Sequence, residues 1–245
     1  MPMWKAAAEL SARAWRPAAA TLMAAAVLFE PVAPALAVCA PTHDALLILD
    51  SSSSMLRRSA GGETRFMLAR QVIDQTIDLF PPDARIALRL YGSEAQPGVG
   101  NCRDSVLKVP FAPAATNAAL VKLALAQSHA RGVTPIAYAL EQAMADFNEE
   151  SIDHTIVMVS DGGEDCGGKP CDTASALHAK GYVINTIGLG VDVQGGRQLQ
   201  CIAAASGGQY FNVPIAAQLQ DRLMQALGIC PVAMLPSRRG ESGIG

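Results

Sequence analysis

The sequence predicts an α/β protein of Rossmann-like class: a doubly wound, mostly parallel six-stranded sheet with helices on both faces and one short antiparallel edge strand. Three observations point there. The segments 45–49 (ALLIL), 155–159 (TIVMV) and 182–187 (YVINTI) are nearly uninterrupted apolar runs, as expected of strands covered on both faces. The segments between them carry apolar residues at three- and four-residue spacing, which marks helices. The alternation of the two is the pattern of parallel strands joined by right-handed crossovers. With 50% apolar and 17% charged residues in 245, the chain is apolar enough for one good core.

The elements follow in order. Residues 1–16 carry Lys5, Arg13 and Arg16, residues 17–29 are uncharged, and Ala35-Leu36-Ala37 follows. A basic segment, a short apolar segment and an A-x-A site make up a secretory signal peptide, here 1–37 with cleavage after Ala37. Glu30, Pro31 and Pro34 end the apolar run too early for a membrane span, and no other span is expected after cleavage. Cys39 could take a lipid in a bacterial lipoprotein, but Val38 is larger than the residue usual before it, so a periplasmic or secreted chain is the expectation.

After the strand at 45–49, Phe66, Ala69, Ile73, Ile77 and Phe80 mark a helix stopped by Pro81-Pro82. Arg85–Leu90 alternates more and is placed nearer an edge, and Ser105–Val109 is the candidate antiparallel edge strand. Helices are expected over 116–127, 135–147, 172–180, 196–205 and 215–227. The folded domain spans 38–230, and 231–245, with Pro, Ser, Arg and Gly, reads as a loose tail.

A net charge of −3 and 5% aromatic residues offer neither a basic field nor stacking platforms, so nucleic acid is not an expected partner. No phosphate loop is present, and Gly188-Leu-Gly190 lacks the third glycine of a dinucleotide fingerprint. The four histidines have no paired acid at triad or metal spacing, and no serine sits in a G-x-S-x-G elbow. Zinc is not expected, because no C-x-x-C occurs.

In open α/β sheets ligands lie beyond the carboxyl ends of the strands. There the first strand delivers Asp50, Ser52 and Ser54, the strand at 155–159 delivers Ser160-Asp161-Gly162, and Gly132-x-Thr134-Pro135 opens a helix. Hydroxyls and carboxylates without imidazole suit Mg²⁺, with Mn²⁺ or Ca²⁺ as competitors. Each string has a plainer reading: a polar loop, a Thr134 N-cap with Pro135 at the first helical position, an ordinary turn. Their coincidence favours a metal site. Glu164 and Asp165 read as solvated loop charges or rim contacts.

These strings together resemble the metal-ion-dependent adhesion site of von Willebrand factor A domains over about residues 43–228. The resemblance implies that Ser52 and Ser54 coordinate a metal through their hydroxyls, that Thr134 binds directly or through water, and that Asp50 and Asp161 hold coordinated waters. It further implies a non-enzymatic, exported protein-binding module for adhesion or assembly, whose partner supplies an Asp or Glu to the metal. The alternative is a metal-assisted hydrolase or a thiol-disulfide enzyme of the cell envelope using Cys166 and Cys171.

Six cysteines in an exported chain read as up to three bridges. Cys39 and Cys230 are expected at the end of the sheet opposite the metal site and are predicted to pair. Cys166 with Cys171 is the simple choice for the rest, with Cys102–Cys166 and Cys171–Cys201 as the rival pairing.

Overall fold

The computed structural model describes residues 43–59, 61–96, 99–148 and 151–229. The predicted signal peptide, the tail and the Cys39–Cys230 pairing lie outside the described residues.

Six strands form one sheet in the order β3-β2-β1-β4-β5-β6. They are β1 (Asp44–Asp50), β2 (Arg85–Tyr91), β3 (Ser105–Pro113), β4 (Thr155–Ser160), β5 (Val183–Leu189) and β6 (Tyr210–Val213). All neighbours pair in parallel except β2 with β3. The antiparallel strand lies at one edge, as expected. It is longer than expected, and its Pro110 and Pro113 are tolerated because an edge strand has ladder donors to spare. The segment 85–90 stands one place in from that edge. The sixth strand, β6, was not located from sequence: Tyr-Phe-Asn-Val is four residues long and has no run long enough to show a period.

The helices are α1 (Arg65–Ile77), α2 (Ala114–Gln127), α3 (Ile136–Ala143), α4 (Pro170–His178), α5 (Val193–Ala205) and α6 (Leu219–Ala226). Helix α3 stops four residues before its expected end, and α6 is preceded by a short 3-10 turn over Ala216–Gln218. Because side chains alternate across a strand, the apolar run of β1 feeds two cores. Leu47 and Leu49 pack with α1, α2 and α6, whereas Leu46 and Ile48 pack with α3, α4 and α5. Every residue of β1 is buried, which is why its sequence shows a continuous apolar run and no alternation.

Two bridges fasten the α3/α4/α5 side and correct the simple cysteine pairing. Cys102 bonds Cys166, with Cα atoms 5.5 Å apart, and Cys171 bonds Cys201 at 5.7 Å. Cys171 belongs to the first turn of α4, which packs on α5, so its partner comes from that helix. Cys166 stays in the loop beyond β4, beside the β2–β3 connection that carries Cys102.

Candidate metal centre

The chain runs from β1 through α1 to β2 on one side, and β4, β5 and β6 lie on the other. The strand order therefore reverses between β1 and β4. Such a switch point leaves a crevice beyond the carboxyl ends, where the connections diverge. Asp50 closes β1, and Ser160-Asp161 closes β4 across the same gap.

Asp50 anchors the site from below. Its side chain is fully buried; Oδ1 accepts the Ser52 amide at 2.7 Å, and Oδ2 accepts the Ser160 hydroxyl at 2.6 Å. The first bond bends the chain after β1 into a 3-10 turn over Ser53–Leu56, which presents Ser52 and Ser54 side by side. Their Oγ atoms are 2.9 Å apart, and Ser54 donates to Asp161 Oδ1 at 2.5 Å.

The segment bearing Thr134 is docked by its backbone. The Arg131 amide donates to the Ser51 carbonyl at 2.9 Å, the Ser53 amide donates to the Gly132 carbonyl at 2.8 Å, and Ser52 pairs with Gly132 in a parallel bridge. This approach requires glycine: a Cβ on Gly132 would lie 2.6 Å from Gly92 Cα, closer than packed atoms allow. Thr134 itself is buried. The structure thus links Asp50, Ser52, Ser54 and Asp161 through hydrogen bonds and their neighbours, and brings Thr134 beside them through the Ser52–Gly132 bridge.

One sequence expectation changes here and another becomes specific. Thr134 does not cap α3: its amide donates to Asp165 Oδ1 at 2.6 Å, and the orphan amide of Ala137 donates to Glu164 Oε2 at 2.8 Å. Glu164, partly buried, and Asp165, exposed, are therefore rim contacts, the second of the two readings that the sequence offered. They hold the start of α3 against the loop beyond β4, because free helix amides attract carboxylates.

The electrostatics are those of a site with buried negative charge. Burial, and secondarily the neighbouring Asp161, pushes the Asp50 carboxyl up to about 6, against the opposing hydrogen bonds from Ser160 and Ser52. The Tyr91 hydroxyl, buried beside Asp50 and Ser160, is pushed well above its ordinary range by desolvation and then by the Asp50 charge. Asp161 has cations close by: Arg65 Nη1 is 2.6 Å from Oδ2 and Arg57 Nη2 is 3.7 Å away. Neither arginine is marked by a motif. The one sequence signal for Arg65 is a cation at the amino end of a helix, where the dipole disfavours it.

The donor chemistry fits a small hard cation: adjacent hydroxyls, two buried carboxylates and no sulfur or imidazole. Among the described residues, His, Cys, Asp and Glu form no group of three or more suited to a metal ion, so any such site depends on the hydroxyls.

Comparison with known proteins gives the wider setting. Residues 44–225 match the von Willebrand factor type A domain. The chain is 29% identical over 186 residues to uncharacterized protein YwmD of Bacillus subtilis (strain 168), covering 71% of this chain and 80% of the relative. Its fold is similar to the crystal structure of an aerotolerance-related membrane protein from Bacteroides fragilis NCTC 9343 (TM-score 0.60, 19% identity, 75% of this chain and 98% of that one). It is also similar to proximal thread matrix protein 1 from the mussel byssus, solved with a zinc-occupied MIDAS motif (TM-score 0.57, 22% identity, 78% of this chain and 46% of that one).

Proposed function

The chain belongs to the von Willebrand factor type A domain family, and from that premise we propose that it is a divalent-metal-dependent protein-binding module. Domains of this family often mediate metal-dependent protein interactions. In this reading Ser52, Ser54 and Thr134 face Mg²⁺ (or Mn²⁺ or Ca²⁺) with their hydroxyls, while Asp50 and Asp161 balance its charge and orient its waters. A bound ion would supply one exchangeable position for an Asp or Glu of the partner.

One observation carries the reading: Ser52 Oγ, Ser54 Oγ and Asp161 Oδ1 form a continuous chain of contacts at 2.9 and 2.5 Å at the switch point of the sheet. Neutral hydroxyls nearest the ion, with carboxylates behind, keep it electron-poor and able to accept an external carboxylate. The mussel protein of similar fold, solved with a zinc-occupied MIDAS motif, supports a metal-binding reading. We place the module outside the cytoplasm, in the periplasm or secreted. The two disulfides support this, as do the likeness to a bacterial membrane protein and the leader-like first 37 residues. No helix among the described residues is long and apolar enough to cross a membrane. Binding is favoured over thiol exchange because Cys166 and Cys171 are each bonded to a different partner and not to one another.

Calorimetry with Mg²⁺ and Mn²⁺ tests the site. Wild type should bind weakly, in the range of open, water-filled sites, and Ser52→Ala with Ser54→Ala should abolish the heat. Equal binding by both proteins would refute the assignment. Capture of envelope proteins with and without EDTA then tests whether the partner contact needs the metal.

A further inference from the structure

The least expected group at the site is the Arg65 guanidinium. Its side chain is only 16% exposed, and Nη1 lies 2.6 Å from Oδ2 of the fully buried Asp161 side chain. The other oxygen of Asp161 accepts from Ser54, so this carboxylate already has both oxygens engaged. The guanidinium has a seat. Gly190, at the end of β5, adopts φ +61°, and a Cβ there would stand 3.1 to 3.3 Å from Nη2, Nε and Cζ of Arg65. The backbone fixes the other end, since the Arg65 amide donates to the Arg57 carbonyl at 3.0 Å and Thr64 caps the helix through the Met67 amide. Arg65 opens α1, where the helix dipole opposes a cation. A buried carboxylate that repels Asp50 supplies the compensating attraction.

We propose that Arg65 is a built-in competitor for the metal: it neutralises Asp161 when the site lacks a metal and thereby lowers the affinity for a divalent ion. The inference rests on the metal-site reading above and adds a residue which that reading does not require. Two buried carboxylates, Asp50 and Asp161, with no cation would strain the metal-free fold. Arg65 removes half of that charge. A divalent ion arriving beside Ser52 and Ser54 must share Asp161 with a fixed positive charge or displace it, and either course costs affinity. Arg57, 3.7 Å from the same oxygen but with a side chain 59% exposed, is screened by water and contributes far less.

The test compares wild type, Arg65→Gln, Arg65→Lys and Arg57→Gln in the purified protein. Mn²⁺ alone is titrated by calorimetry, and melting is followed in EDTA and in millimolar Mn²⁺. Arg65→Gln should bind Mn²⁺ at least about tenfold more tightly, melt about 5 °C lower in EDTA, and gain more from Mn²⁺ than wild type does. Arg65→Lys should fall near wild type, and Arg57→Gln should change affinity by less than about threefold. Equal Mn²⁺ affinity for wild type and Arg65→Gln overturns the proposal while leaving the metal site standing, even if the variant melts lower. An unchanged melting point in EDTA overturns it as well. If neither wild type nor Arg65→Gln takes up Mn²⁺, the metal-site reading itself falls and the competitor with it.

Discussion

Asp50 shows how much a single side chain at this site does. It ends a fully buried strand, turns the chain toward Ser52, and ties β4 to β1 through Ser160. Each role needs an acceptor oxygen, and together they need burial, which raises its proton affinity. A carboxyl that binds its proton more tightly in the folded state favours folding at low pH. That contribution is fully present below its ordinary value of 3.8 and is lost as pH rises through about 6. The loss is about 3 kcal/mol, as an order of magnitude, for a shift of this size. In EDTA, therefore, stability should decline between about pH 4 and pH 6.5, and Asp50→Asn should flatten the decline. Urea melts across that range check it, and a wild-type curve that rises through the window would contradict the assignment. Five side chains of the candidate site were legible because they stand in three short strings at the ends of recognisable elements. Arg65 was not, because its role depends on a helix start reaching across to β4 and on a glycine 125 positions further on that leaves room for it. No local pattern records either fact.

The elements were legible where burial comes with an unbroken apolar run, and β2, buried along nearly its whole length, was less so because Arg85 and Arg89 interrupt its run. The strands β1, β4 and β5 announce themselves as apolar runs because both faces meet a core, whereas β6 is short, half-exposed and invisible to periodicity. The connections carry what the sequence could not assign. Glu164 and Asp165 gain a definite role only when the fold supplies the amides of Ala137 and Thr134, Asp165 remaining exposed as it does so. The cysteine pairing likewise follows from which loops and helices lie together, Cys102 with Cys166 between two loops and Cys171 with Cys201 between two helices, and the shortest spacing misleads. At this scale the contact between the segments at Gly92 and Gly132 is the most exposed to test. Gly132→Ala places a methyl 2.6 Å from backbone that cannot yield, so the Ser52–Gly132 bridge should open and Thr134 should move off. We expect a stability loss of about 1 to 3 kcal/mol, as for overpacking elsewhere, with at least about tenfold weaker Mn²⁺ binding. Calorimetry and urea melts on the same sample separate the two effects.

For the whole molecule, the two bridges form a chain of their own. Cys102 joins Cys166, five positions later Cys171 joins Cys201, and the β2–β3 connection, the loop beyond β4, α4 and α5 become one covalent belt. The loop closed by Cys102–Cys166 spans 64 residues, worth about 4 kcal/mol in the chain-entropy model. The double variant Cys102→Ser, Cys166→Ser should accordingly melt about 10 °C lower, a shift that scanning calorimetry resolves. The central strand has a different consequence, for how the chain finds its fold. Leu46-Leu47-Ile48-Leu49 would satisfy either core if β1 slid by one residue, since both faces accept large aliphatic side chains. What forbids the slide is the aspartate at each end: Asp44 receives the amides of Ile152 and Asp153, and Asp50 receives Ser52 and Ser160. A slip in one direction would carry Asp44 into the core place of Ala45, and in the other Asp50 into that of Leu49. The carboxylate at the head of the candidate metal centre is thus also a stop that sets where the first strand docks, so a chain lacking it risks misthreaded sheets before any question of ligand arises.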